Sequence, residues 1–254
     1  MSVYVKYDDW ARMGNRMFQY AFGHILAKKR NEQLYSQGLP NFKIPSINYK
    51  LPTTALCTSQ YGYHNAEMDE LELIKIDVIV DSFLQKAKYY TPYRDELVKL
   101  FNIPQINSNP DTLVVHVRET DYVEIKAFLG YKFYKKLIDD SGFTKIVIVT
   151  DNSNCDTVKR LVADGCTLNT EGYVSKFEHH SDERGMEDFR TLTTSANIAI
   201  SQSSFSWWAA FLGKHDKVII PFATNKGQWR LNPGIDDVDL NINLPNYIKF
   251  IHEC

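Results

Sequence analysis

A histidine, an arginine and an aspartate lie close together near the middle of the chain, in the segment His116-Val117-Arg118-Glu119-Thr120-Asp121. The segment follows the apolar run 113–117, which predicts a buried strand. In open α/β sheets, ligands bind beyond the carboxyl ends of the strands. A guanidinium at that place can grip phosphate oxygens through two N–H donors and stabilise a departing nucleotide. The segment alone leaves open a surface ion pair between Arg118 and Asp121.

A second strand-to-helix junction is rich in serine and aromatic residues, with the sequence Ser201-Gln202-Ser203-Ser204-Phe205-Ser206-Trp207-Trp208. Ser203 or Ser204 can cap the helix, and hydroxyls beside free helix-start amides suit phosphate. A serine cap followed by core aromatics is the plain structural alternative. Asp188, which precedes this junction, carries a carboxylate suited to accept hydrogen bonds from the N–H edge of a guanine.

A third junction lies near the N-terminus at Gly14-Asn15-Arg16-Met17-Phe18. The pattern predicts a strand over 3–7, a helix over 15–29, and Gly14 in the turn between them. Glycine lets the backbone approach a ligand closely, and free N–H groups at a helix start favour a diphosphate. An ordinary tight turn explains the same residues.

Apolar β-rich runs alternate with segments of helical period along the whole chain, which predicts an α/β fold with parallel sheets. The connector from 103 to 110 is a candidate domain boundary. Further strands are predicted over 77–83, 113–117, 145–150, 198–201 and 217–221. Further helices are predicted over 92–101, 131–140, 155–164, 186–194 and 204–212.

Bulk composition excludes several classes of protein. With 29 basic and 31 acidic residues the net charge is −2, so no basic field favours nucleic acid. We find no signal-peptide pattern and no apolar stretch long enough to be a transmembrane segment, which predicts a soluble, cytoplasmic protein. The four cysteines lack metal-site spacing and are expected to be reduced.

Metal-binding patterns are weak in this sequence. The acidic pair in Asp237-Val238-Asp239 matches the D-x-D motif formally but lies in an irregular tail, which favours a solvated turn. The adjacent His179 and His180 diverge on either regular element. We therefore expect no metal site, with Arg118 taking the place of the metal.

The three junctions, taken in order, resemble glycosyltransferase family 11, the α-1,2-fucosyltransferases, and the resemblance runs nearly end to end. Residues 11–21 are similar to the family's G-x-L-G-N-Q-M-F-Q-Y-A, and 82–90 to its F-Q-S-x-K-Y-F. Residues 116–123 are similar to H-V-R-R-G-D-Y-V, and 202–210 to N-S-S-F-S-W-W-A-A.

The resemblance implies a GT-B-like pair of Rossmann-type halves, with residues 1–108 on the acceptor side and 109–254 binding the nucleotide sugar. It also implies inverting transfer of L-fucose from GDP-β-L-fucose to a glycan acceptor, with no metal and no cofactor. By the same resemblance Arg118 contacts the diphosphate and Asp188 the guanine. The implied donor-site residues are Gly14, Asn15, His116, Arg118, Asp188, Ser203, Ser204 and Phe205.

Two substitutions depart from the family's central motif, because Glu119 stands at its second arginine and Thr120 at its glycine. Glu119 either loosens phosphate binding or points away from the donor. Asp121 is the candidate general base, Glu119 and Glu124 are alternatives, and some fucosyltransferases lack an obvious base. Transfer of another GDP-deoxyhexose such as rhamnose, or glycan binding without catalysis, are the alternative functions.

Overall fold

The computed structural model describes residues 1–9, 11–120, 128–169, 182–223 and 238–252. The chain divides into two compact units. One unit comprises Met1–Asn102 together with the described residues 238–241, and the other contains the remainder from Ile103 onward. The change of unit therefore falls a few residues before the predicted boundary at 108, and a short C-terminal segment returns to the first unit.

The first unit is built on a parallel sheet. Its described strands are β1 (Ser2–Val5), β2 (Gln33–Ser36), β3 (Leu56–Cys57) and β4 (Val78–Val80), in the order β2-β1-β4-β3. Its helices are α1 (Met13–Arg30), α2 (Met68–Leu73), α3 (Ala87–Tyr90) and α4 (Arg94–Leu100), with 3-10 turns at Pro40–Phe42, Thr58–Tyr61 and Thr91–Tyr93.

Helix α1 packs closely on β1 because its contact face is apolar and contains a glycine. Phe22 is fully buried, and a Cβ atom on Gly23 would lie 2.4 Å from a methyl carbon of Val5. The last turn carries Lys28–Arg30, whose positive charges complement the helix dipole. Asn31 ends the helix in the left-handed region, at a φ of 52°.

The second unit is also built on a parallel sheet. Its described strands are β5 (Ser108–Val117), β6 (Lys145–Thr150), β7 (Thr167–Leu168), β8 (Ser195–Ala199), β9 (Lys217–Ala223) and β10 (Tyr247–His252), in the order β10-β9-β8-β5-β6-β7. Its helices are α5 (Gly130–Ser141), α6 (Asp156–Ala163), α7 (Asp182–Thr194) and α8 (Ser204–Leu212).

Strand β5 lies at the centre of this sheet and alternates its side chains between two faces. Val115 and Val117 point into the apolar core formed with Leu137 of α5 and Leu161 of α6. The register pairs Val117 with Thr150 of β6. The carboxyl ends of β5 and its neighbours therefore meet at one edge of the sheet.

The aromatic residues of α8 belong to the core of the second unit. Trp207 and Trp208 are 1% and 0% exposed, with ring centroids 5.1 Å apart. The ring of Phe211 stacks on that of Trp207 at 4.8 Å. Packing therefore explains this part of the serine and aromatic junction.

The predicted α/β fold with parallel sheets is confirmed, since every strand pair that the structure describes within the two sheets runs parallel. Strand β5 begins at Ser108, before the predicted start, because Ser108 pairs with Ser195 of β8, and the register with β8 shifts between Ser108 and Leu113. Among the described helices, none has the length and apolar character needed to cross a membrane.

Candidate active site

Polar side chains gather where β5, β6 and β8 end. Arg118 follows β5 directly, Asp151 follows β6 directly, and Ser201 comes shortly after β8. These strands are adjacent and parallel, so the residues that follow them emerge at the same edge of the sheet. This edge of the sheet belongs to the second unit.

The guanidinium of Arg118 is held by a carboxylate. Its Nη1 lies 2.9 Å from Oδ2 of Asp151, and the side chains are 13% and 23% exposed respectively. The hydroxyl of Thr120 donates to the same Oδ2 at 2.6 Å. Asp151 is thus an ion-pair partner of Arg118, whereas Asp121 of the alternative surface pair lies outside the described residues.

Glu119 points into the protein instead of toward Arg118's partner. The residue is 6% exposed, and one of its carboxylate oxygens has no hydrogen-bond partner. Burial, with added contributions from the charge of Glu119 and a hydrogen bond to its carboxylate, raises the pKa of the Cys155 thiol to about 12. Of the two interpretations of Glu119, its burial agrees with the one in which the side chain points away from the donor, and an enclosed carboxylate is poorly placed to take a proton from an acceptor hydroxyl.

His116 is enclosed at the end of β5. Its Nδ1 lies 2.8 Å from the hydroxyl oxygen of Ser201, and the ring centroid of Phe205 is 5.6 Å from its own. Burial lowers the pKa of His116 from 6.5 to about 4, although the nearby charge of Asp151 acts in the opposite direction. The imidazole is therefore neutral near pH 7 and contributes hydrogen bonds to the site but no positive charge.

The start of α8 is capped by Ser203, which is 4% exposed. Its hydroxyl oxygen accepts a hydrogen bond from the backbone N–H of Phe205 at 3.3 Å, in an extended N-cap conformation. Ser204 is the first helical residue and is half-buried. Besides the N–H of Phe205, which Ser203 binds, the first turn of α8 has further backbone donors, and the ring of Phe205 brings this turn next to the enclosed His116.

Asp188 lies on α7 and is half-buried. Its Oδ1 accepts a hydrogen bond from Nδ2 of Asn169 at 3.2 Å. The next residue, Phe189, packs edge-on against Phe205 with ring centroids 5.4 Å apart. The ring of Phe205 on α8 thus contacts both Phe189, the neighbour of Asp188 on α7, and His116 at the end of β5.

Gly14 and Asn15 belong to the first unit, where the structure corrects one prediction. Helix α1 begins at Met13, so Gly14 lies in its first turn and not in a loop before it. The side-chain oxygen of Asn15 accepts a hydrogen bond from Nε2 of the buried Gln85 at 2.9 Å. Contact of either residue with a donor stays a prediction.

Sequence reasoning missed Asp151, Ser201 and Asn169. Asp151 carried a usable signal, since it directly follows a strand that was predicted and emerges at the edge already assigned to His116 and Arg118. Ser201 lay within a noted junction, but its pairing with His116 depends on strand order. Across the part of the chain that the structure describes, no three His, Cys, Asp or Glu side chains converge as a metal site would require.

Two α/β units built on parallel sheets agree with a GT-B-like fold, and comparison with known proteins gives the family. Residues 99–232 match the model of glycosyl transferase family 11, and because this range is more than half of the chain, the chain belongs to that family. The match includes the junctions around Arg118 and Ser204 but not the one around Gly14. The predicted family is confirmed.

One relative in sequence and one in structure agree with this family assignment. The chain is similar to an alpha-1,2-colitosyltransferase of Escherichia coli, with 22% identity over 80% of this chain and 86% of the relative. It is also similar in structure to the fucosyltransferase NodZ from Bradyrhizobium, with a TM-score of 0.50 and 13% identity over 85% of this chain and 93% of that one. That likeness shows the fold and confirms the GT-B-like class.

Proposed function

We propose that this fucosyltransferase-like enzyme transfers L-fucose, or a closely related deoxyhexose, from a GDP-sugar to a hydroxyl of a glycan. The observation that carries the proposal is the Arg118 guanidinium, fixed by Asp151 at the carboxyl end of the central strand. The capped start of α8 lies in the same unit and supplies backbone donors. Together they suit the diphosphate of a nucleotide sugar.

The proposed reaction is a single displacement with inversion at the anomeric carbon. The acceptor oxygen forms a bond to that carbon while the bond to the diphosphate oxygen breaks, and the electron pair leaves with GDP. Charge grows on the diphosphate during this step, so donors fixed in advance lower the barrier. Arg118 supplies the positive charge, and the neutral His116 supplies none.

We assign the guanine contact to Asp188. A carboxylate accepts two N–H groups of guanine well, and Asn169 already holds one oxygen of this carboxylate at 3.2 Å. The general base is assigned to Asp121, with Glu124 as the alternative, and both lie outside the described residues. Glu119 is set aside for this role because it is buried.

The proposal includes metal independence. A divalent ion would neutralise the diphosphate in enzymes that use one, and here we assign that task to Arg118 and to the backbone donors at the start of α8. No cofactor is needed, because the GDP-sugar is itself a substrate and the reaction moves no electrons between redox centres.

The donor sugar is fucose in our proposal, with another GDP-deoxyhexose as the second candidate. One specific observation favours keeping the second candidate, since the relative with 22% identity is a colitosyltransferase. Glu119 and Thr120, which depart from the family motif, do not decide between the sugars. Glu119 faces the interior and Thr120 binds Asp151.

A donor panel tests the proposed function. Release of nucleoside diphosphate is measured with GDP-L-fucose, GDP-rhamnose, GDP-mannose and UDP-glucose, with and without a mixture of glycan acceptors. We expect turnover with one of the GDP-deoxyhexoses and little with UDP-glucose. Binding of a glycan array without GDP affinity would instead indicate a glycan-binding protein and contradict the proposal.

A further inference from the structure

One carboxylate oxygen receives two donors from a single short segment. Oδ2 of Asp151 accepts from the hydroxyl of Thr120 at 2.6 Å and pairs with Nη1 of Arg118 at 2.9 Å. A carboxylate oxygen has lone pairs enough for both donors. Because both donors reach the same oxygen, the Thr120 hydroxyl restricts the rotation of the carboxylate that Arg118 uses.

This contact lies just beyond the ends of two paired strands. Val117 pairs with Thr150 in the last register position of β5 and β6, and Arg118 and Asp151 are the residues that follow. The sheet therefore brings the two segments together, and the side-chain torsions of Asp151 decide where its carboxylate points. The Thr120 hydroxyl sets them from within the same segment that carries the arginine.

Glu119 gives this segment a second, buried contact. The residue is 6% exposed, whereas its neighbours Arg118 and Thr120 both contact Asp151. Glu119 lies beside Cys155, the N-cap residue of α6, and it also raises the pKa of the buried Tyr134 phenol, for which burial is the larger cause. The segment is thus held both by Asp151 and by the burial of Glu119.

We propose that Thr120 is a positioning residue for the donor-site arginine, acting through Asp151, with Glu119 as the interior anchor of the same segment. The inference rests on the proposed function only for its catalytic consequence. An arginine on a long flexible side chain reaches its productive orientation more often when its partner carboxylate cannot rotate. Loss of the hydroxyl should therefore act on Arg118 and not on GDP affinity in general.

The test compares Thr120→Val, which removes the hydroxyl at similar size, with Thr120→Ser, which keeps it. Thr194→Val is the matched control, since it removes an exposed hydroxyl that bonds the carbonyl of Arg190 at 2.8 Å in the same unit. We expect Thr120→Val to lower kcat about tenfold with a smaller change in KM. Thr120→Ser and Thr194→Val should stay within about twofold of wild type.

A double-mutant cycle decides whether Thr120 acts through Arg118. In an Arg118→Ala background, Thr120→Val should cause little further loss of kcat/KM. An equal loss in both backgrounds would overturn the inference, as would an unchanged rate in Thr120→Val or an equal loss in Thr120→Ser. Asp151→Asn provides a second variant if Thr120→Val does not fold, and its loss of kcat should likewise shrink in the Arg118→Ala background.

Urea unfolding separates this inference from the proposed function. The shifts in unfolding midpoint for Thr120→Val and Arg118→Ala should be non-additive, because both residues share one oxygen. This coupling is measurable even if no GDP-sugar is turned over, which would reject the proposed function alone. Additive midpoint shifts in an enzyme that does turn over a GDP-sugar would reject the inference alone.

Discussion

Nδ1 of His116 lies 2.8 Å from the hydroxyl oxygen of Ser201, so two residues 85 positions apart in sequence meet where the adjacent strands β5 and β8 end. The histidine is 3% exposed, and burial lowers its pKa from 6.5 to about 4. Because the ring is buried, His116 is a neutral imidazole near pH 7. Its neutrality also makes the stability of the second unit dependent on pH.

We predict that the folded state loses stability as the pH falls from 6.5 toward 4. In this range the unfolded chain binds a proton at His116 and the folded chain does not, so acid favours unfolding. The stabilising contribution of the neutral His116 is fully present above pH 6.5. The difference between its unfolded and folded pKa values corresponds to a loss of about 3 kcal/mol in the free energy of unfolding. Below about 4 the loss from this residue levels off.

Urea unfolding between pH 7 and 4 checks this prediction against a His116→Asn variant. The variant should be less stable at pH 7 but should lack the part of the pH slope that His116 causes, so the two curves converge toward acid. His24→Asn is the matched control, because His24 lies in the first unit beside Glu96. Parallel curves for wild type and His116→Asn would contradict the prediction.

Much of the second unit could be predicted from the sequence. Strand 145–150 and helix 204–212 have the predicted bounds, because a compact apolar run and a capped apolar segment are strong local signals. Strands β2 and β3 of the first unit and β7 and β10 of the second were not predicted. Strands β3 and β7 are two residues long and β2 is mixed in polarity, whereas β10 lies in a tail of irregular pattern and is stabilised by pairing with β9.

The residues of the candidate site likewise divide into those that the local sequence predicts and those that it does not. Arg118 and Ser203 follow predicted elements, so local pattern and the rule for strand ends were sufficient to select them. The bonds of Arg118 to Asp151 and of His116 to Ser201 depend on which strands are neighbours and in what register. The local sequence determines neither property, so an ion pair between Arg118 and Asp121 was an equally good alternative.

Replacement of Asp188 should weaken GDP binding. In Asp188→Asn one carboxylate oxygen becomes an N–H donor that opposes the N–H edge of guanine, and we expect affinity to fall about 10- to 100-fold. Calorimetry with GDP measures the change. Glu187→Gln is the control, since Glu187 precedes it on α7 and pairs with Arg190 at the surface. Unchanged affinity in folded Asp188→Asn would remove the guanine role.

Catalysis should survive the removal of divalent ions. Arg118 carries the charge that a metal would otherwise supply, so excess EDTA should leave the initial rate of GDP release within about twofold of the untreated enzyme. A manganese-dependent glycosyltransferase assayed in the same buffer shows that chelation is complete. Loss of rate that added Mg²⁺ or Mn²⁺ restores would contradict the proposed mechanism.

Lysine should not replace arginine at position 118. An ammonium keeps the positive charge but lacks the planar fork that bonds two oxygens at once, so Arg118→Lys should recover little of the activity lost in Arg118→Ala. Steady-state rates of GDP release from the preferred donor compare the two variants. A lysine variant near the wild-type rate would reduce Arg118 to a general source of positive charge.

The kcat of Arg118→Ala with the preferred GDP-sugar tests the central claim most directly, with Arg160→Ala as a surface control that loses contacts to Asp156 and Tyr131. Two charge-assisted hydrogen bonds contribute about 3–6 kcal/mol, which corresponds to a loss of about 10²–10⁴ in kcat/KM. Most of the loss should fall on kcat, because charge on the diphosphate grows in the transition state. A folded Arg118→Ala enzyme with the kcat of wild type would place the reaction elsewhere and contradict this account.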